Sequence, residues 1–112
     1  STSPSEVLHT VFRAIIDSET RGHIHVYLIQ EALTGDEALR RRFVEEYHKW
    51  AQLIEEGLSR VVNDNSDHSA MARIILAAID GFLLQHLLGA EELPLSEVSR
   101  YLLSMEPLPS SS

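Results

Sequence analysis

The segment ILAAIDGFLLQHLLG, residues 75–89, decides the fold of this chain. Apolar residues occupy nearly every side of a helix drawn through it, yet Asp80 and Gly81 stand at its centre. A glycine inside a helix costs about 1 kcal/mol relative to alanine. A buried carboxylate costs more unless a partner pairs with it. Asp80 therefore needs a partner that the sequence does not name, although Arg73, seven residues earlier, is one candidate.

The helix predicted over residues 68–88 has one bulky side, one side of small residues and a third, mixed side. A helix that is apolar all round must be covered all round, and four further helices of one chain cover only part of it. We therefore predict that a second copy packs on the small side, so that the last two helices of both copies form a four-helix bundle. The predicted dimer interface comprises Ala77, Gly81, Leu84, Gln85, Leu88, Leu95, Val98 and Leu102. The alternative is that Ala77 and Gly81 pack against a helix of their own chain.

Helical periodicity recurs along the rest of the chain, whereas no stretch alternates apolar and polar residues as a strand would. A first helix begins at the Ser3-Pro4 cap and ends near Asp17. A second helix, residues 20–33, has Ile24, Tyr27 and Leu28 facing inward. A long third helix starts at residue 36, and a short fifth one follows residue 94. The pattern predicts an all-α five-helix bundle over residues 4–106, with residues 1–3 and 107–112 disordered.

Composition limits the possible functions. The 112 residues are 44% apolar, carry a formal net charge of −8 and include no cysteine. The acidic charge repels phosphate backbones, so the chain alone is not expected to bind nucleic acid. The absence of cysteine rules out thiol catalysis and favours a cytoplasmic setting. Asp80, Gln85 and His86 interrupt the longest apolar run, which argues against a membrane span.

Three stretches give the sequence a familiar order. The long third helix contains LIEEGL (53–58), the segment ARIILAAIDGFLLQHLLG (72–89) follows, and IQEALTGDEALRRRF (29–43) joins the second helix to the third. A short acidic linker and a last amphipathic helix complete the pattern. This order resembles the C-terminal ligand-binding and dimerisation domain of TetR-type bacterial transcriptional regulators, over roughly residues 4–106.

The resemblance implies a division of labour between two domains. An N-terminal helix-turn-helix domain would read operator DNA, and it is absent from this chain. The first residue is Ser1 and the only methionines are Met71 and Met105, so we expect the chain to be a piece of a longer protein. In such regulators a small effector enters a cavity of the C-terminal domain and releases the DNA. The resemblance thus implies a non-enzymatic sensor domain, from a repressor that acts as a homodimer.

A cavity between the first four helices would be walled by their inward-facing side chains. Apolar walls with a few polar tips suit a lipophilic or aromatic effector. The predicted ligand-binding residues are Phe12, Ile16, Tyr27, Leu28, Tyr47, Trp50, Ile54, Ile75, Ile79, Phe82 and His86. The alternative is that these residues form an ordinary core.

Two other classes of function remain open from the residues alone. Glu6 with His9 and Glu45 with His48 give the Glu-x-x-His spacing of di-metal helical bundles, for which only Glu31 and Asp80 could supply further ligands. A helical interaction module without a ligand is the second. No cofactor motif and no catalytic residue is predicted, because no phosphate-binding loop or nucleophile motif is present.

Overall fold

A computed structural model describes residues 3–62, 66–90 and 92–104, and these ranges contain five helices and no strand. The helices are α1 (Pro4–Ile16), α2 (Glu19–Leu33), α3 (Glu37–Val62), α4 (Ser69–Leu87) and α5 (Leu95–Ser104). The all-α, five-helix prediction is confirmed, while the pairing with a second copy stays a prediction. Disorder is predicted for residues 1–3 and 107–112. Ser3 lies within the described ranges as the N-cap of α1, and the other residues lie outside them.

Polar side chains mark where α1 and α3 begin. The Ser3 hydroxyl accepts a hydrogen bond from the backbone N–H of Glu6 at 3.3 Å, ahead of Pro4 at the first helical position. Asp36 caps α3 in the same way through the N–H of Leu39, at 2.9 Å. These side chains satisfy backbone donors that have no partner within the helix. The cap signals in the sequence therefore place the starts of α1 and α3 correctly.

Gly89 ends α4. Its φ of +88° lies in the left-handed region that glycine adopts without strain. The N–H groups of Gly89 and Ala90 reach back to the carbonyl oxygens of His86 and Gln85, at 3.0 and 2.9 Å. This pair of bonds is a Schellman motif, which stops the helix and turns the chain towards α5.

The core lies where α1 crosses α4 and α5. Phe12 and Ile16 of α1, Ile75 of α4 and Leu95 of α5 are fully buried together. Leu58, near the end of α3, closes this cluster. Such burial stabilises the fold by about 1.5–3 kcal/mol per large side chain. The short α5 is thus anchored by its own chain.

Part of the predicted inward face of α2 is wrong. Ile24 and Tyr27 are exposed, Tyr27 to 61%, whereas Gly22 and Ala32 are the buried residues of this helix. A Cβ atom at Gly22 would lie only 2.8 Å from Cδ1 of Leu83, so α2 approaches α4 too closely for larger side chains. Because α2 and α4 lie close together, the small residues of α2 face α4 and its larger apolar residues are exposed.

One side of α4 is not covered by the described chain. Apart from Ser69 and Arg73, its exposed residues follow one arc of about 100°, given about 100° of rotation per residue. This uncovered arc consists of Ala70, Ile74, Ala77, Leu84, Gln85 and Leu88, with the half-exposed Gly81 at its middle. A Cβ atom built at Gly81 would have no neighbour within 4 Å among the residues described. Gly81 therefore packs against none of the five described helices.

By length and composition alone, α4 could cross a membrane, contrary to the exclusion argued from its interruptions. It has 19 residues, and the mean hydropathy of its 18-residue window is 1.4. Its inner side is nevertheless part of the protein core, where Ile75 is 1% and Leu83 4% exposed. A core helix with one uncovered arc passes the same test, so the finding is weak support for a span.

Replacing Leu95 with alanine should destabilise the chain by about 2–5 kcal/mol, because the change opens a cavity where α5 meets the core. Tyr101→Ala, at an exposed position of the same helix, is the control and should stay within about 0.5 kcal/mol. Urea unfolding followed by circular dichroism measures both. Equal stabilities for the two variants would contradict the described packing of α5.

Candidate functional site

Asp80 finds its partners on two neighbouring helices. The Tyr47 hydroxyl of α3 donates a hydrogen bond to Oδ2 of Asp80 at 2.6 Å. Nε2 of His25, on α2, lies 3.8 Å from Oδ1 of Asp80 and 3.4 Å from the Tyr47 oxygen. We name these three residues the Asp80 cluster. Three helices thus meet at one carboxylate, which explains how an apolar helix tolerates it. Arg73, the candidate partner from the sequence, lines a groove instead.

The phenol–carboxylate bond holds Tyr47 in its neutral form. Burial raises the pKa of Tyr47 well above its usual value, and the hydrogen bond to Asp80 and its negative charge raise it further. Tyr47 is therefore a hydrogen-bond donor at every physiological pH. The Asp80 side chain is 39% exposed, so its remaining lone pairs are accessible to water. The net contribution of the hydrogen bond to the free energy of unfolding is therefore about 1 kcal/mol.

Aromatic rings of α3 enclose the imidazole of the cluster. The His25 ring centroid lies 5.6 Å from that of Phe43 and 6.0 Å from that of Trp50. Tyr47 and Trp50 themselves meet edge to face at 5.0 Å. Edge-on ring contacts of this kind are favourable beyond the area they bury. The rings hold the imidazole against α3 and keep its position relative to Asp80.

Two open grooves flank the Asp80 cluster. The first groove has a volume of ≈ 770 Å³ and is lined by Ile29, Ala32, Leu33, Arg40, Phe43, Val44, Glu45, Tyr47, His48, Lys49 and Arg73. The second groove has a volume of ≈ 460 Å³ and is lined by Arg21, Ile24, His25, Leu28, Leu39, Arg42, Phe43, Glu46 and Trp50. Tyr47 opens into the first groove, His25 into the second, and Phe43 into both. Each groove is therefore lined by one residue of the cluster.

Three of the predicted ligand-binding residues line a groove. Tyr47 belongs to the first groove, and Leu28 and Trp50 belong to the second. Their placement follows from the long apolar stripe of α3, whose first half is only partly covered by α2. Ligand binding at these residues stays a prediction.

The other predicted ligand-binding residues lie elsewhere. Phe12, Ile16, Ile75 and Ile79 are buried in the core, Ile54 and Phe82 pack against that core, and the exposed Tyr27 lines neither groove. The rings of Phe12 and Phe82 meet edge to face with centroids 6.3 Å apart. These residues thus form or border the core of the described chain, and their role in ligand binding stays a prediction.

His86 connects two helix ends. Its Nε2 atom lies 3.3 Å from Oε1 of Glu19, at the start of α2. Nε2 has no hydrogen-bond partner of good geometry among the described residues, so the two groups lie close together without a directed bond. His86 therefore lies between the end of α4 and the start of α2, and it lines neither groove.

The predicted interface residues divide into two groups. Ala77, Leu84, Gln85 and Leu88 are exposed on the uncovered arc, with Gly81 among them. Leu95 and Leu102 are instead 1% and 8% exposed, because the core of their own chain already covers them, and Val98 is half-buried. The first group, and to a lesser extent Val98, leaves surface that a second copy could cover.

Sequence analysis missed several residues of this site. Phe43, His25 and Arg73 reach the grooves or the cluster, and none of them was predicted to bind a ligand. Phe43 belongs to the apolar stripe of α3 and could have been included on that ground. Among residues 3–62, 66–90 and 92–104, no three His, Asp or Glu side chains come together as a metal site. The Glu-x-x-His spacing therefore gains no support from the geometry.

Tyr47→Phe and Asp80→Ala should be coupled in stability. Each removes the same hydrogen bond, so the double variant should lose about 1 kcal/mol less than the sum of the single losses. The change in helix propensity at residue 80 cancels in this cycle. Chemical unfolding of the four proteins gives the coupling, and additive losses would show that the bond contributes nothing.

The free energy of unfolding should fall at alkaline pH through Tyr47. Its pKa is higher in the folded chain than the value of about 10 in the unfolded chain. The contribution of neutral Tyr47 to the free energy of unfolding is therefore fully present below about pH 10. It is lost as the pH rises towards the pKa of Tyr47 in the folded chain. Tyr47→Phe should show a weaker decline between about pH 9 and pH 11 than the unmodified chain. Parallel declines would contradict the burial and pairing of this phenol.

Comparison with known proteins gives one match. A family model described as the C-terminal domain of a BetI-type transcriptional repressor matches residues 4–105. Neither the curated proteins nor the solved structures that were searched contain a match. The match spans all five helices, the Asp80 cluster and the uncovered arc. The chain therefore belongs to the C-terminal domain family of TetR-type transcriptional regulators, in its BetI-type branch.

Proposed function

We propose that this chain is the effector-sensing and dimerisation domain of a TetR-type repressor, and that it acts on DNA through a separate N-terminal domain. The observation that carries the proposal is the position of Asp80 on α4. Its carboxylate faces α2 and α3 between the two grooves, while the uncovered arc of the same helix faces outward. One rigid helix thus joins a candidate ligand site to a candidate dimer surface.

The uncovered arc has the properties of a helix–helix interface. Ala77 and Gly81 present little bulk, and the space around Gly81 is open. Small residues let two helix axes approach closely, which offsets the helix propensity lost at glycine. Leu84 and Leu88, 46% and 86% exposed, add apolar surface that a second copy would cover. Two arcs related by a two-fold axis would bury each other.

The Asp80 cluster offers a route from a bound effector to that interface. A ligand in the first groove would touch Phe43 and Tyr47 on α3 together with Arg73 on α4. Because Tyr47 is bonded to Asp80, a movement of its side chain changes how α4 sits against α3. The shift is transmitted along α4 to the partner copy and changes the spacing of the two DNA-reading domains. Coupling of this kind needs two packing arrangements that differ by a few kcal/mol.

Charge and surface chemistry agree with this division. The net charge of −8 makes operator contacts through this domain alone unfavourable. The apolar and aromatic linings of the two grooves suit a lipophilic or aromatic effector. The role is that of a homodimeric, cytoplasmic sensor that needs neither a cofactor nor a catalytic residue, and α4 uses its apolar surface for a protein partner and not for a membrane.

Gly81→Ala should weaken dimerisation, because a methyl group would separate the two closely packed helices. Gly57→Ala on α3 is the matched control, since a Cβ atom there also meets nothing within 4 Å among the described residues. The control should gain up to about 1 kcal/mol of stability from helix propensity and keep its dimerisation constant. Sedimentation equilibrium measures both constants. Unchanged dimerisation in Gly81→Ala would remove the uncovered arc from the interface.

Val44→Gln should weaken effector binding by placing a polar group in the first groove. Val44 is 67% exposed, so the substitution should leave folding intact. Leu53→Gln, at a 62% exposed position of α3 outside both grooves, is the control. Thermal-shift titration with a panel of lipophilic and aromatic compounds gives the affinities. Equal affinities of the two variants for every compound that binds would place the ligand elsewhere.

A further inference from the structure

We propose that the effector of the first groove is an organic anion, a carboxylate carried on an apolar body. This inference rests on the proposed sensor function and specifies the chemistry of the ligand. It comes from the charges that surround an otherwise apolar groove.

The floor and the rim of the first groove differ in chemistry. The apolar part of its lining, here called the floor, consists of Ile29, Ala32, Leu33, Phe43 and Val44, which offer aliphatic and aromatic surface to a hydrophobic body. The charged part of the lining is here called the rim. The rim carries three permanent cations, Arg40, Lys49 and Arg73, together with His48, and a single carboxylate, Glu45. The whole chain has 9 Lys and Arg residues against 17 Asp and Glu. The lining of this groove, with three cations and one carboxylate, has the opposite sign.

Two of the three cations already have weak partners. Arg40 pairs with Glu37 at 2.6 Å, and Lys49 approaches Glu46 at 3.8 Å. Both pairs are solvent-exposed neighbours on α3, and exposed pairs of this kind contribute little and exchange readily. These two ion pairs therefore leave Arg40 and Lys49 able to contact a ligand.

Arg73 is the cation that is free to bind a ligand. It has no ion pair and no side-chain hydrogen bond within the part of the chain that the structure describes. A guanidinium group presents two parallel N–H donors that match the two oxygens of a carboxylate. The apolar floor beside it would hold the body of the ligand, and burial of that body would strengthen the charge contact by excluding water.

The position of Arg73 connects this anion to the proposed switch. Arg73 and Asp80 lie two turns apart on the same side of α4, at the edge of the uncovered arc. A carboxylate bound to Arg73 and resting on Phe43 would join α4 to α3 at a second point, beside the Tyr47–Asp80 bond. The ligand would therefore act on the helix that bears the dimer surface.

Three probes with one apolar body separate charge from hydrophobicity. Decanoate, decanol and decylamine are titrated below their micelle concentrations into the full chain by isothermal calorimetry. Decanoate should bind about ten-fold more tightly than either of the others, because one charge-assisted contact of about 1.4 kcal/mol or more corresponds to that ratio. Its affinity should also fall with added salt.

Two variants locate the contact. Arg73→Gln should lose about ten-fold in decanoate affinity and leave decanol affinity unchanged. Arg60→Gln is the control, because Arg60 lines neither groove and, among the described residues, its guanidinium contacts the backbone oxygen of Glu56. Thermal unfolding without ligand checks that both variants fold.

The outcomes distinguish the anion from the sensor function. Equal affinities for the three probes, or a preference for decylamine, would overturn the anionic ligand and leave an effector groove in place. Equal decanoate affinity in the two variants would overturn the role of Arg73. Absence of saturable binding by all three probes would overturn this inference, and the same absence across the lipophilic and aromatic panel would overturn the sensor function as well.

Discussion

The hydrogen bond from Tyr47 to the carboxylate of Asp80 is the interaction on which the rest of this structure depends. It permits a charged residue at the middle of the most apolar helix in the chain. It also places α4 relative to α2 and α3, because His25 reaches the same carboxylate from the other side. Asp80 is only half-buried, so the bond contributes about 1 kcal/mol to the free energy of unfolding. Its main effect is to fix which residues of α3 and α4 face each other.

Two different surfaces of α4 follow from that arrangement. Its inner side enters the core with α1 and α5, through buried residues such as Ile75 and Ile79. Its outer side carries the uncovered arc around Gly81. Because α4 is packed in the core on its inner side, a small displacement of this helix would also move the uncovered arc and any molecule bound there. The chain's membership of a TetR-type C-terminal domain family is the reason for proposing a second copy as that partner.

The sequence predicts the fold better than it predicts the site, and the reason is physical. Helix periodicity and cap signals are local properties, so the order of the five helices and the cap at Asp36 follow from neighbouring residues alone. The anomaly at Asp80 and Gly81 identifies the important helix and its exposed small face. The Tyr47–Asp80 pair joins residues 33 positions apart, however, and no local pattern contains it. The burial of Leu95 by α1 and the close approach of Gly22 to α4 are also contacts between residues far apart in the sequence. For this reason the sequence predicts Leu95 at a dimer interface and Tyr27 inside the bundle, whereas Leu95 is buried in its own chain and Tyr27 is exposed.

The central claim is that a second copy covers the outer side of α4, and thiol labelling tests it most directly. The chain contains no cysteine, so a single Ala77→Cys substitution reports on that surface without background. The labelling rate at this thiol should fall as the protein concentration rises, while the rate at an exposed Leu53→Cys thiol on α3 stays constant. A rate at residue 77 that is the same at every concentration, including those of structural work, would show that α4 keeps its apolar arc in water and would contradict the account.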